Sequence, residues 1–125
     1  IESLQKRCDI SNNVNSKYFV CIHANYFDEP GANGTETYYY PGSSEGQRLA
    51  SNIQNSIIRE VGMYDRKIKE DERGLYVLKN TTAPAVLVEL GFVTNPGDAA
   101  KLNSDAYRQK FAQAIADGIL QTLGY

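Results

Sequence analysis

Two apolar runs in the sequence each carry one ionisable side chain near their end. "PAVLVELGF", residues 84–92, holds Glu89, and "YFVCIHANYF", residues 18–27, holds His23, the single histidine. A carboxylate buried ionised and without partners costs several kcal/mol. It is tolerated where it faces solvent at a strand end, pairs with a cation such as Arg7 or Arg73, or works with a raised pKa as a general base. His23 reads either as a hydrogen-bonded structural residue or as a metal ligand, and His23 and Asn25 share a face if the strand continues. A catalytic zinc usually draws on about three protein ligands plus water. One imidazole does not supply them, and the sequence has no HExxH, CxxC or closely spaced His pair.

Other chemistries are weaker. Cys21 and His23 lie two apart on one strand face, a poor arrangement for a nucleophile and its base, and no orienting acid is evident. There is no GxSxG elbow or phosphate-cradling glycine loop. The row Tyr38, Tyr39, Tyr40 could stack sugar rings or bases, but alternation between core and surface accounts for it better.

The elements that must position these residues can be read from periodicity. Residues 2–13 suit a helix with Leu4, Cys8 and Ile10 as inward candidates. Residues 18–23 form a strand by composition, and "TETYYY" forms a second, ended by Pro41 and Gly42. Ser43 or Ser44 caps a helix running to about Gly62, with Leu49, Ile53, Ile57 and Val61 stacked along one face. "YDRKIKEDERG" reads as a solvated, charged segment and "LYVLK" as a short strand. "PAVLVELGF" is continuous rather than alternating, which predicts a strand buried on both faces. A short helix begins near Pro96, and a longer one covers residues 105–123 with Phe111, Ile115 and Ile119 inward. Strands interleaved with helices predict an α/β domain with a mixed, largely parallel central sheet flanked by helices. Ligands of such sheets sit beyond the carboxyl ends of the strands, where both His23 and Glu89 fall.

Bulk properties narrow the function classes. The 125 residues are 42% hydrophobic and 22% charged, which is globular, and suffice for one domain with a real core. A net charge of −2 gives no cationic surface for nucleic acid or anionic lipid. No apolar run approaches the roughly 20 residues of a membrane helix, and the first ten residues lack signal-peptide order. The chain begins inside a helical pattern, as if cut from something longer. Cys8 and Cys21 could bridge if the first helix packs on the second cysteine's strand; buried free thiols are the alternative.

Taken in order, these segments resemble a zinc-dependent N-acetylmuramoyl-L-alanine amidase catalytic domain of the amidase-3 type, over about its C-terminal two-thirds. "YFVCIHAN" resembles that family's strand ending in Ser-x-His-x-Asn, with Cys21 at the usual Ser. "GTETYYYP" resembles the strand after the histidine loop. "ERGLYVLKNTTAPAVLVELGFVTNPGDAAKL" resembles the succession of Arg-Gly, apolar run, Glu-x-Gly-Phe and Asn-x-x-Asp, and "YRQKFAQAIADGI" the closing helix.

The resemblance implies hydrolysis of the amide between N-acetylmuramic acid and L-alanine in peptidoglycan. It implies a zinc cofactor held in part by His23, with Glu89 as catalytic general base and Asn25 and Arg73 as substrate-binding residues. It also implies an extracytoplasmic, cell-wall or secreted location and the role of an autolysin or related lytic enzyme. The family's first zinc histidine, in an Asp-Pro-Gly-His-Gly-like motif, and its zinc glutamate find no match here. The expectation is therefore one amidase-like domain over residues 1–125 that lacks an N-terminal strand and helix and is inactive alone. Unpaired backbone left by such a gap favours a dimer or a strand exchange. The alternative is a metal-free peptidoglycan-binding or regulatory module on the same scaffold.

Overall fold

The computed structural model describes residues 2–125. Among them the chain runs α1 (Glu2–Asn13), β1 (Phe19–Asn25), β2 (Thr35–Tyr39), α2 (Ser44–Val61), β3 (Asp65–Glu70), α3 (Tyr76–Lys79), β4 (Ala85–Phe92), α4 (Pro96–Leu102) and α5 (Asp105–Leu123). The sheet order is β1-β4-β2-β3. β1 runs parallel to β4 and β2 parallel to β3, while β2 and β4 are antiparallel. The mixed, helix-flanked α/β sheet expected from the sequence is present.

β4 is central, which is why its run is apolar on both faces. Val86 and Val88 point into a core built with Leu49, Ile53 and Ile57 of α2 and Phe111 and Ile115 of α5. Ala85 and Leu87 point the other way, into a smaller cluster with Cys8, Cys21, Val77 and Leu78. The long helices pack so closely that a Cβ on Gly118 would lie 2.7 Å from the Cα of Ile53. Ser43 caps α2 by accepting from the Gly46 N–H, and Gly62 ends it with φ at 80°. Cys8 and Cys21 are both buried free thiols. Among the described residues no helix is long and apolar enough to cross a membrane.

Three expectations need correction. The charged segment after Gly62 is not simply solvated: Asp65–Glu70 is the edge strand β3. The buried Gln54 amide draws it in, donating to the Thr35 carbonyl at 2.7 Å and to Asp65 Oδ1 at 2.9 Å. "LYVLK" holds a helical turn, not a strand, because Gly74 turns the backbone at φ 70° and Val77 and Leu78 then drop into the smaller core. Ile10 faces solvent at 66% exposure, while Ser11 takes the inward position on α1. The strand predicted over 18–23 runs on to Asn25.

The carboxyl end of β4 is clamped from below. Asn95 caps α4 by accepting from the Asp98 N–H. The buried Asp98 carboxylate in turn accepts from the N–H groups of Phe92 at 2.9 Å and Gly34 at 2.8 Å. Glu89 therefore projects from a strand fixed just beyond it on one side and by the core on the other.

Candidate active site

In the β1–β4 register His23 lies opposite Glu89, and in the β2–β4 register Glu36 lies opposite Glu89. Three strands thus contribute one cross-strand row, His23–Glu89–Glu36. By alternation it shares the face that carries Cys21, Leu87 and Tyr38, which form the apolar row beneath it. His23 is exposed and Glu89 is 7% exposed. Buried Oε2 of Glu89 has no hydrogen-bond partner among the described residues. Burial raises its pKa, opposed by the fields of His23 and Arg73 and reinforced by Glu36. A proton-accepting carboxylate with a free oxygen at a strand end is suited to general-base work.

The two carboxylates of the row are treated differently. Glu36 accepts from Arg66 Nε at 2.8 Å, Lys69 Nζ at 3.2 Å and the Tyr38 hydroxyl at 2.6 Å. Burial pushes its pKa up, but the hydrogen bonds from Arg66, Tyr38 and Lys69 outweigh that and the net shift is downward. Tyr38, through burial and then its bond to Glu36, is pushed up to about 12. Glu36 is a fixed anion, and Glu89 is the carboxylate left able to take up a proton.

Sequence reasoning points to His23, Glu89, Asn25 and Arg73 and offers Tyr38 only within a row able to stack rings; it does not find Glu36, Arg66 or Lys69 as site residues. Arg66 and Lys69 lie in the charged stretch that reads as solvated, and only the β2–β3 pairing brings them over Glu36. Arg66 also stacks on the Phe92 ring, 5.0 Å from its centroid. Asn25 sits past a register shift between His23 and Asn25. It lines a cleft of about 410 Å³ with Tyr26, Phe27, Arg66, Arg73 and Phe92. The structure therefore places Asn25 and Arg73 in one cleft, with Glu36 in its wall.

Cys21 Sγ lies 3.5 Å from His23 Nε2. Burial raises the thiol pKa by more than the neighbouring Arg7 lowers it, so the thiol is not activated as a nucleophile. For a metal, His23 and the unpartnered Glu89 oxygen are the polar groups on offer. Among the described residues no three His, Cys, Asp or Glu side chains cluster to hold an ion.

Residues 2–121 match the family described as N-acetylmuramoyl-L-alanine amidase, amidase-3. The chain is 41% identical over 119 residues to the N-acetylmuramoyl-L-alanine amidase LytC of Bacillus subtilis, covering 93% of this chain and 23% of that one. Among solved structures, the amidase AmiC2 of Nostoc punctiforme superposes with a TM-score of 0.89 at 37% identity, covering 97% of this chain and 66% of that one. The CwlD amidase of Clostridioides difficile, solved in complex with the GerS lipoprotein, gives 0.91 at 32% identity, covering 98% and 62%. The chain thus spans less than two thirds of each of these three proteins. On sequence and fold together, the chain belongs to the N-acetylmuramoyl-L-alanine amidase family.

Proposed function

We propose that this chain is the part of a peptidoglycan amidase that supplies the proton-transfer base, Glu89, and one metal-binding imidazole, His23. The observation that carries this reading is the direct register of His23 with Glu89 at the carboxyl ends of β1 and β4, with Glu89 Oε2 buried and unpartnered. The scissile bond is the amide between the lactyl group of N-acetylmuramic acid and L-alanine. Glu89 takes a proton from the attacking water and returns it to the departing amine of L-alanine. A bound zinc ion would polarise the amide carbonyl and acidify water. Its remaining ligands have to come from outside these residues, so the isolated chain is expected not to turn over. Asn25 and Arg73, in the adjoining cleft, bind the substrate. The location in keeping with this substrate is extracytoplasmic, at the cell wall.

β1 is an edge of the sheet and exposes Ile22 at 50%. A second copy or an exchanged strand pairing there completes the sheet. Elemental analysis of the purified chain together with its mass in solution tests both points. The expected result is no zinc per isolated chain and a mass above the monomer. Close to one zinc per chain would contradict the claim that ligands are missing, and a monomer would contradict the pairing.

A second reading follows from the single imidazole: a metal-free muropeptide-binding module on the amidase scaffold. It requires muropeptide binding that chelators leave untouched, and no hydrolysis by any longer form of the protein.

A further inference from the structure

Three cations, Arg66, Lys69 and Arg73, surround the Glu36–Tyr38 corner. Arg66 and Lys69 are committed to the Glu36 carboxylate, and Lys69 also donates to the Arg66 carbonyl at 2.7 Å. Arg73 is committed to nothing comparable. Its approach to a carboxylate, Nε to Asp71 Oδ1, is 4.0 Å. The oxygens of that buried Asp71 already accept from the N–H groups of Arg73, at 3.0 Å, and Leu75, at 2.7 Å. Among the described residues no side-chain acceptor lies within hydrogen-bond distance of its guanidinium.

The guanidinium is nonetheless held in place. Asp71 ties the loop down through its own N–H to the Tyr39 carbonyl at 2.9 Å. The Arg73 guanidinium carbon lies 4.5 Å from the centroid of the Tyr38 ring, so cation–π attraction holds the fork over that ring. It borders two clefts. One, of about 420 Å³, is also lined by Glu70 and Glu72, whose charges repel an anion, and by Lys69, whose charge is committed to Glu36. The other, of about 410 Å³, contains Asn25 and Arg66, and the acid in its lining is Glu36, whose charge is already paired with Arg66 and Lys69. An incoming anion is therefore directed into the second cleft, whose wall residue Glu36 is the β2 register partner of Glu89.

We propose that Arg73 recognises the α-carboxylate of the residue after L-alanine in the stem peptide, so that the site discriminates a stem in which that group is free from one in which it is amidated and only the γ-carboxylate remains. This rests on the peptidoglycan reading above. The chemistry of that substrate fixes the side being read: the lactyl carboxyl of the muramic acid is itself the scissile amide, so the carboxylates of a simple muropeptide all lie on the peptide. A planar, stacked guanidinium with both terminal nitrogens available matches a carboxylate bidentately, and a neutral amide does not reproduce that pairing.

The test is an NMR titration of the chain with N-acetylmuramoyl-L-alanyl-D-glutamate and with its D-isoglutamine counterpart, for wild type, Arg73→Gln and Arg73→Lys. Wild type should bind the form with the free α-carboxylate about five- to tenfold more tightly than the α-amide, which shares its γ-carboxylate, a preference that shrinks as salt is raised. In Arg73→Gln the ratio of the two affinities should fall to about one, with Arg73→Lys between. This ratio is insensitive to a general loosening of the loop, which would weaken both ligands alike. Equal binding by wild type, or a preference that survives Arg73→Gln, would overturn the role of Arg73 and leave the peptidoglycan reading standing. Binding of neither ligand would remove that reading, and this one with it.

Discussion

Glu89 and Glu36 face each other across β4 and β2, yet their acidities are shifted in opposite directions. Directly opposed like charges on neighbouring strands are destabilising. The conflict is resolved by giving Glu36 two cations and a phenol and leaving Glu89 one oxygen without a partner among the described residues. The same arrangement separates a fixed anion from a titratable base within a single row of side chains.

The stabilising part of that arrangement has a definite pH signature. The folded-state pKa of Glu36 is depressed below its ordinary value of 4.5. Its contribution to stability is therefore present above about pH 4.5 and is lost as pH falls through the lower folded value. Glu36→Gln should cost about 1–3 kcal/mol at pH 7, since Arg66 and Lys69 are half-exposed and can be rehydrated. Urea unfolding at pH 7 and again near pH 3 should show that deficit shrinking. A deficit unchanged by pH would mean that packing, not charge, carries the effect.

The helix pair is sensitive to a single methyl group. In Gly118→Ala the new Cβ would sit 2.7 Å from the Ile53 Cα and 2.9 Å from its nitrogen, so the backbones of α2 and α5 have to separate. The expected cost is about 1–3 kcal/mol, read as a lower urea midpoint. The higher helix propensity of alanine acts the other way and is smaller, about 1 kcal/mol. An unchanged midpoint would contradict the close crossing.

Lys67 is a side chain in a conformation that favours glycine, with φ at 72°. Its ammonium lies 3.1 Å from Asp65, but the side chain is 77% exposed, where an ion pair is worth little. Lys67→Gly should stabilise the fold by about 0.5–1 kcal/mol, while Lys67→Ala, which keeps the Cβ, should not. Thermal melts of both variants check this. Destabilisation by glycine would show that the ion pair outweighs the backbone strain.

How much of this was legible beforehand depended on whether the signal was local. The face of α2 was plain from Leu49, Ile53, Ile57 and Val61, with Ser43 and Gly62 marking its ends, because helix periodicity and caps are written within a few residues. β4 was plain because a central strand is apolar on both faces. β3 was hidden: its strand pattern is carried by charged residues, and its pairing depends on Gln54 from another helix. The turn α3 was misread because tyrosine, valine and leucine favour strands as well. His23 and Glu89 stood out as ionisable groups in apolar runs. Glu36, Arg66 and Lys69 did not, since a cross-strand row exists only once the register is set.

The measurement that bears most directly on the central claim is cleavage of purified peptidoglycan by the longest form of the protein carrying this chain, wild type against Glu89→Gln. New L-alanine amino termini would be counted, with zinc content determined on the same samples. If Glu89 is the base, the substitution lowers the rate by about 10²–10⁴-fold and leaves the zinc content unchanged. Cleavage retained near the wild-type rate, with zinc intact, would contradict the assignment of Glu89.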